Sequence, residues 1–156
     1  PTGAHPSGLI GENPKNDINN IFPMINNVGI GKNAFLNIYG DDWTTPDGTC
    51  IRDYIHVMDL SEAHIIALKN LLSGNSEGFL TLNIGAGLGV SVLELVKSFE
   101  NANNIKIPYI FSERRAGDVS SLVADNSKAK KILGWSPKRT LDEMCKDSWN
   151  WRLLNL

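Results

Sequence analysis

The stretch of sequence that decides the fold runs over residues 47–60 and reads DGTCIRDYIHVMDL. Its Asp47-Gly48 pair predicts a tight turn into a strand, and the strand leads directly into the start of a helix. Strand side chains alternate with period two, so the two faces carry different sets of residues. The first face carries Ile51, Asp53, Ile55 and Val57, and the second carries Arg52, Tyr54 and His56. One face of the predicted strand therefore combines a cation with aromatic side chains.

Arg52 is the first candidate for a binding residue. A guanidinium in the middle of a half-apolar strand is costly unless it meets an anion, and its planar fork suits phosphate or carboxylate. The strand alone leaves two interpretations open. Arg52 either pairs with a neighbouring Asp or Glu as a structural salt bridge, or it binds an anionic ligand. Taken by itself the strand favours the salt bridge, which is a common arrangement at protein surfaces.

The composition describes one ordinary globular domain. The chain has 156 residues, of which 42% are hydrophobic and 21% charged, enough to bury a core and without low-complexity bias. A formal net charge of −2 argues against a broadly basic surface, so nucleic-acid binding is not expected. Cys50 and Cys145 form no CxxC pair and are typical of reduced thiols in a cytoplasmic protein. No apolar run reaches the length of a membrane span, so no membrane partner is expected either.

The beginning of the chain predicts that the sequence is a fragment. Its first residues, PTGAHPSGLIG, do not resemble a signal peptide. The chain also starts without methionine, in a stretch whose prolines and glycines indicate a loop.

The order of the predicted elements indicates an α/β fold. Strands are predicted at 35–39, 51–57, 79–84, 107–111 and 122–124, and helices from 21, at 60–72, at 92–102, from 125 or 127 to 133, and from 141. Asp59 is predicted to cap the helix at 60–72 because Glu62 follows it three residues later, as in a capping box. Ser91 with Glu94 and Thr140 with Glu143 form the same pattern at the next helix and at the last one. Trp135 is expected to pack back on the helix that ends at 133, and in the strand at 35–39 Asn37 and Tyr39 alternate with Leu36 and Ile38. The segment FLTLNI at 79–84 is expected to be a buried strand.

A glycine-rich turn at 85–89 stands between a predicted strand and a predicted helix. Such turns can hold the pyrophosphate of a dinucleotide. The spacing here is GxGxG, however, and Val90 occupies the position of the third glycine in the GxGxxG pattern. No acidic residue follows at the usual distance. The sequence therefore favours a plain strand-to-helix turn, and no cofactor-binding residue is predicted in this chain.

The chain also lacks the patterns expected of catalytic residues. Short-chain dehydrogenases use a Tyr-x-x-x-Lys pair, in which the lysine lowers the pKa of the phenol that acts as base. Here Tyr39, Tyr54 and Tyr109 are followed four positions later by Trp, Met and Glu. No serine elbow and no paired cysteine nucleophile are present. His56, Asp59 and His64 could be imagined as metal ligands, but a structural role is favoured for each, and no metal site is predicted.

Charged and aromatic residues remain as candidates for ligand binding. Arg52 on its strand could converge with Arg114 and Arg115 on a diphosphate, while Asp118 accepts a hydrogen bond from a sugar hydroxyl. Tyr39 offers a ring on which a base could stack. Loop arginines are usually solvated, so spacing alone gives this interpretation limited weight.

Four segments together resemble one family. They are GAHPSGLIGE at 3–12, DGTCIRDYIHVMDL at 47–60, RRAGD at 114–118 and LGWSPKRTLDEM at 133–144. They are similar to the C-terminal half of the UDP-glucose 4-epimerase family, which belongs to the extended short-chain dehydrogenase/reductases. The resemblance implies the C-terminal part of a Rossmann-like NAD(P)-binding domain together with a small α/β substrate-binding domain. Residues 48–90 would return to the Rossmann sheet, and 1–47 and 91–156 would contribute mainly to the nucleotide-sugar-binding part.

The resemblance also assigns roles to individual residues. Arg52 and Arg115 would hold the diphosphate, and Asp118 a ribose hydroxyl. Asn20 and the backbone of Ile21 would face the nucleotide sugar, and Asn37 and Tyr39 would line the uracil pocket. Leu122 would lie near the sugar, where it leaves the acceptance of N-acetylated sugars open.

The activity implied by the resemblance is interconversion of UDP-glucose and UDP-galactose, in galactose metabolism. NAD would oxidise carbon 4 of the sugar transiently to a ketone, and the hydride would return to the opposite face. The catalytic tyrosine and lysine, the NAD loop and most of the homodimer helices would lie in the missing half, so the isolated chain is expected to be inactive. Two alternatives stay open: a non-catalytic nucleotide-sugar-binding module, or another extended short-chain UDP-sugar enzyme such as a dehydratase or decarboxylase.

Overall fold

A computed structural model describes residues 1–14, 19–74 and 79–156 of the chain. The helices are α1 (Ile21–Gly29), α2 (Val57–Leu72), α3 (Val92–Asn103), α4 (Ser127–Leu133) and α5 (Leu141–Leu154). The strands are β1 (Leu36–Tyr39), β2 (Ile51–Asp53), β3 (Gly89–Ser91), β4 (Tyr109–Ser112) and β5 (Ser121–Leu122). Helices and strands are mixed along the chain, so the predicted α/β class is confirmed.

The strands form two small sheets. β1 pairs with β4 in parallel, with Leu36 opposite Tyr109. β2 lies in the middle of the other sheet, antiparallel to β3 and parallel to β5, so that Arg52 stands opposite Val90 and Leu122. Since β4 belongs to one sheet and β5 to the other, the loop at 113–120 crosses from the first sheet to the second. This crossing brings the ends of β1 and β2 to the same loop.

The core consists of two apolar clusters. The larger one joins α1, β1, α3 and α5 around Phe99, whose ring packs edge-on against Phe22 and Trp149 at centroid distances of 6.4 and 5.9 Å. The smaller one joins α2 and α4 through Ala63, Ala129 and Trp135, as expected from the predicted packing of Trp135 against its helix. The loop after α4 thus fixes α2 against the C-terminal part of the chain.

The helix caps agree with the sequence in two cases. Ser91 with Glu94 caps α3, and Thr140 with Glu143 caps α5, each as a complete capping box. In both cases a hydroxyl accepts a backbone N–H that has no partner within the helix. The local sequence pattern was sufficient to predict these caps because the capping residue and its glutamate lie within one helical turn.

The predicted cap of α2 is wrong. The helix begins two residues before Asp59, at Val57, and its cap is His56, whose Nδ1 accepts the N–H of Met58 at 3.0 Å. The strand predicted over 51–57 accordingly ends at Asp53. Asp59 instead points inward, fully buried, and accepts the backbone N–H groups of Lys138 and Arg139 as well as the Arg139 side chain. Burial alone would raise the pKa of Asp59, but these donors outweigh it and lower the pKa below its ordinary value.

The strand predicted at 79–84 is also absent. Residues 79–84 belong to neither a strand nor a helix, and Phe79 is 94% exposed. The prediction rested on an apolar run, which indicates burial but not the partner strand that a ladder requires. The exposed side chains of Ile65, Leu68, Leu71 and Leu72 on α2 form, with Phe79, an apolar surface that we call the α2 face. His64 is also exposed on this helix.

Candidate functional site

The largest group of predicted binding residues lines one cleft of about 280 Å³. It lies between the start of α1, the ends of β1 and β2, and the loop at 113–120. The predicted residues among its lining are Asn20, Ile21, Asn37, Tyr39, Arg52, Arg115 and Asp118. Leu122 does not line the cleft; it is 64% exposed on β5, beside Arg52 in the register. Arg114 also lies outside the lining.

Arg52 is held in place by bonds from its guanidinium. Nη1 donates to the carbonyl oxygens of Ile51 and Val119 at 2.9 and 2.8 Å, and Nη2 donates to Asp118 Oδ1 at 3.1 Å. The side chains of Arg52 and Asp118 keep 24% and 35% of their surface exposed, so the pair faces the cleft rather than the core. The salt bridge left open by the sequence is therefore present, and it orients Asp118 at the cleft wall.

Arg115 differs from Arg52 because its charge is not compensated. Its guanidinium carbon lies 3.7 Å from the centroid of the Tyr39 ring, a cation–π stack. Among the residues the structure describes, no carboxylate lies within 4.0 Å of it, whereas Arg114 and Arg52 each have one. One side of the Tyr39 ring is thus occupied by a cation. Arg115 is the side chain in this cleft best placed to accept an anionic ligand.

Polar groups at the start of α1 and on β1 complete the rim. Asn20 precedes α1 and makes no side-chain cap bond, and its Nδ2 donates to Glu12 Oε1 at 2.6 Å. Asn37 Oδ1 accepts from Ser112 Oγ at 3.1 Å, which ties β1 to β4 at the cleft. Backbone N–H groups in the first turn of a helix have no intrahelical partner, so the Ile21 end of α1 can donate to a ligand.

The floor of the cleft is formed by residues that the sequence did not assign to a site. Cys50, Tyr54, Met24 and Val92 line it along with Leu36 and Ile38. Burial raises the pKa of Tyr54 to about 12, against a smaller opposing effect of Arg52, and it also raises the pKa of the Cys50 thiol. A phenol acting as base at neutral pH needs a lowered pKa. Tyr54 therefore shapes the cleft and does not transfer protons. Its position on the same strand face as Arg52 could have identified it from the sequence as a lining residue, whereas no sequence pattern pointed to Cys50.

The glycine turn at 85–89 is filled by a carboxylate of the chain itself. Asp53 Oδ1 accepts the N–H of Ala86 at 2.8 Å, and Oδ2 accepts the N–H groups of Gly87 and Ala124 at 3.0 and 3.1 Å. A Cβ on Gly85 would lie 2.5 Å from Asp53 Oδ2, so glycine is required there for the close approach. Because its donors already hold an anion, this turn does not fit a dinucleotide pyrophosphate.

The histidines and other possible metal ligands do not cluster. His56 is fully buried and its Nε2 lies 3.1 Å from Asp147 Oδ2, while His64 is exposed on α2. Over residues 1–14, 19–74 and 79–156, no three His, Cys, Asp or Glu side chains come together as metal ligands would. In the same ranges, none of the helices has the length and apolar character needed to cross a bilayer.

Several solved structures similar to this one are UDP-glucose 4-epimerases. The enzyme from Stenotrophomonas maltophila, with NAD and formylated UDP-arabinopyranose bound, superposes with a TM-score of 0.94 at 42% identity, over 99% of this chain and 45% of that one. The enzyme from Bifidobacterium longum, in complex with NAD+ and UDP, gives a TM-score of 0.93 at 44% identity, over 99% and 45%. The fold is therefore that of the extended short-chain dehydrogenase/reductases.

Sequence relatives agree with this class. UDP-glucose 4-epimerase of Bacillus subtilis is 50% identical over 156 residues, which is all of this chain and 45% of the relative. The chain thus spans a little under half the length of the curated relatives it matches. The family model described as GDP-mannose 4,6 dehydratase matches residues 5–148, and the chain belongs to this family.

Proposed function

We propose that this chain is the nucleotide-sugar-binding part of a UDP-glucose 4-epimerase. The observation that carries the proposal is the guanidinium of Arg115, which has no carboxylate partner among the described residues and stacks on Tyr39 in the same cleft as the Arg52–Asp118 pair. A diphosphate needs cations, and a nucleoside needs a ring surface and polar groups nearby. The relatives at about half identity that are named UDP-glucose 4-epimerases support the substrate class.

Each predicted residue has a role in this proposal. Arg115 and Arg52 hold the diphosphate, and Asp118 accepts from a ribose hydroxyl while Arg52 keeps its carboxylate in position. Asn37 and Tyr39 line the uracil pocket, and Asn20 and the Ile21 N–H face the sugar. Leu122, which lies opposite Arg52 on the neighbouring strand but outside the lining, would contact only the sugar end of a bound ligand.

This chain supplies binding and orientation to the reaction. NAD, held by the whole protein, would supply the hydride chemistry at carbon 4 of the sugar. Since the glycine turn is filled by Asp53, NAD would be held by parts of the protein other than this turn. Holding the remote diphosphate positions the reacting ring, which lowers the barrier without any chemistry at the phosphates.

The domain arrangement is part of the same proposal. Residues 48–90 return to the Rossmann layer, and the exposed α2 face is where the cofactor-binding half packs. The whole protein would be a cytoplasmic homodimer, with dimer helices mostly outside this chain. Cys50 and Cys145, both buried free thiols, suit a reducing compartment.

The α2 face gives a testable consequence. We expect the isolated chain to self-associate, because apolar surface of this kind is normally covered. A Leu72→Glu, Phe79→Ser double variant should be more monomeric in sedimentation and bind less of a hydrophobic dye. Both side chains are exposed, so the unfolding free energy should change by under about 0.5 kcal/mol each. A wild-type chain that sediments as a monomer with no dye binding would contradict the packing proposal.

Calorimetry with UDP, UMP and GDP tests the binding function directly. UDP should bind more tightly than UMP by about tenfold, the effect of one additional charge-assisted phosphate contact. UDP should also bind more tightly than GDP if Asn37 and Tyr39 read uracil. Turnover of UDP-galactose is not expected from the isolated chain. Absence of any UDP binding would refute the proposal.

Two alternatives are distinguished by the complete protein. The matching family model is named after a dehydratase, so another extended short-chain nucleotide-sugar enzyme is the first alternative. Incubation of the complete protein with UDP-glucose, and separately with a UDP-uronic acid, separates the classes. Formation of UDP-galactose from UDP-glucose indicates the epimerase, loss of water from UDP-glucose indicates a dehydratase, and loss of carbon dioxide from the UDP-uronic acid indicates a decarboxylase. UDP binding with no turnover of any UDP-sugar indicates a non-catalytic module.

A further inference from the structure

Two adjacent arginines leave the loop at 113–120 in different directions. Arg115 lies over the Tyr39 ring at the cleft, as described above. Arg114 lies away from the cleft and contacts Asp42, with Nε donating to Oδ1 and Nη2 donating to the backbone oxygen, both at 2.7 Å. Two bonds from different nitrogens of one guanidinium restrict its orientation and not only its distance.

The contact is built against an indole ring. The Arg114 guanidinium carbon lies 4.1 Å from the centroid of the Trp43 ring. Trp43 Nε1 in turn donates to the carbonyl oxygen of Tyr39 at 3.1 Å. The residue that anchors the indole is thus the same residue whose phenol ring supports Arg115.

The backbone is shaped to allow this close packing. Gly40, directly after Tyr39, has φ +83°, and a Cβ there would lie 2.3 Å from Trp43 Nε1 and 2.9 Å from Arg114 Cγ. Any side chain at position 40 would therefore displace the indole, the arginine, or both. The N–H of Gly40 donates to the Ser112 carbonyl at 2.8 Å, which continues the pairing of β1 with β4 up to this point.

We propose that Asp42, Trp43 and Arg114 form a positioning unit that holds Arg115 over Tyr39 and so sets the affinity of the cleft for a nucleoside diphosphate. The proposal rests on the function proposed above. Since Arg114 and Arg115 are consecutive, fixing one guanidinium restricts the backbone that carries the other. An arginine held in its binding geometry loses less side-chain entropy when the ligand arrives.

Asp42→Ala distinguishes an effect of charge from an effect of positioning, because the two predict opposite changes in UDP affinity. Removing a negative charge near an anion site should tighten UDP binding if charge alone matters. Loss of the positioning unit should weaken it, by about fivefold, as for coupled neighbouring residues. Asp41→Ala is the matched control, since Asp41 is the adjacent exposed carboxylate and has no ion pair among the described residues.

The test measures UDP affinity by calorimetry for the wild-type chain and for a set of variants, with melting temperatures to follow stability. The variants are Asp42→Ala, Asp41→Ala, Arg114→Ala, Arg114→Lys, Arg115→Ala and the double variant Asp42→Ala, Arg115→Ala. We expect weaker binding in Asp42→Ala and Arg114→Ala, none of that loss in Asp41→Ala, and partial recovery in Arg114→Lys. In an Arg115→Ala background, adding Asp42→Ala should cause no further loss.

The outcomes separate the two proposals. Equal or tighter UDP binding in Asp42→Ala, with weaker binding in Arg115→Ala, overturns the positioning unit and leaves the proposed function standing. A further loss of UDP affinity when Asp42→Ala is added to Arg115→Ala also overturns the positioning unit, because Asp42 would then act on binding independently of Arg115. Unchanged binding in Arg115→Ala refutes the proposed role of the cleft, and the positioning unit with it.

Discussion

Replacing Arg115 with alanine should weaken UDP binding by about 1.5 to 3 kcal/mol, or roughly ten- to hundredfold, the usual worth of a charge-assisted contact to phosphate. The reason is that Arg115 is the cation in the cleft without a carboxylate partner among the described residues, so its charge is available to the ligand. Calorimetric titration with UDP measures the effect. The melting temperature should change little, because a stacked surface arginine contributes modestly to stability.

Two further variants sharpen this expectation. Arg115→Lys keeps the charge but loses the planar fork and the full stack on Tyr39, so its affinity should fall between wild type and alanine. Lys131→Ala removes one positive charge from α4, an element that does not line the cleft, and should leave UDP binding within about twofold. If Lys131→Ala lowers affinity as much as Arg115→Ala does, the binding reflects net charge and the assignment of Arg115 fails.

Replacing Asp53 with alanine should lower the unfolding free energy by about 3 kcal/mol. The substitution leaves three backbone N–H groups, those of Ala86, Gly87 and Ala124, without their acceptor. Each unsatisfied buried donor costs roughly 1 to 3 kcal/mol, and the more exposed ones recover part of this through water. Urea unfolding at neutral pH measures the loss.

Asp53→Asn and Asp41→Ala provide the comparison. The amide of asparagine retains one acceptor oxygen but points an NH2 group at backbone donors, so it should recover only part of the stability. Asp41→Ala removes an exposed carboxylate and should change the unfolding free energy by less than about 0.5 kcal/mol. A loss under 1 kcal/mol in Asp53→Ala would mean that the glycine turn does not depend on this carboxylate, and the turn would again be open to other anions.

The sequence predicted features that depend on neighbours within one turn or one strand. The two capping boxes and the alternation of Asn37 and Tyr39 against Leu36 and Ile38 are of this kind. The prediction of the α2 cap failed because Asp59 binds Arg139, which lies 80 residues further along the chain, and this leaves His56 to cap the helix. A local pattern cannot include such a partner.

The candidate site likewise has features that local sequence predicted and features that depend on distant contacts. Arg52 stood out from its strand, but its pairing with Asp118 and the stacking of Arg115 on Tyr39 depend on how two sheets meet. The roles of Asn20, Ile21, Asn37 and Leu122 came from family resemblance, and they remain predictions. The capture of the glycine turn by Asp53 had no local signal, since the carboxylate lies 33 residues from Ala86 in the chain.

The crossing of the loop at 113–120 from one sheet to the other has a consequence for folding kinetics. Arg52 meets Asp118 across 66 residues, and Arg114 meets Asp42 across 72. Contacts of such high sequence separation carry the largest loop-closure entropy and are disfavoured until much of the chain has been ordered. Competence to bind a nucleotide should therefore arise late in refolding, after α3 and α5 have formed, so that ligand binding reports completion of the native topology rather than the appearance of its helices.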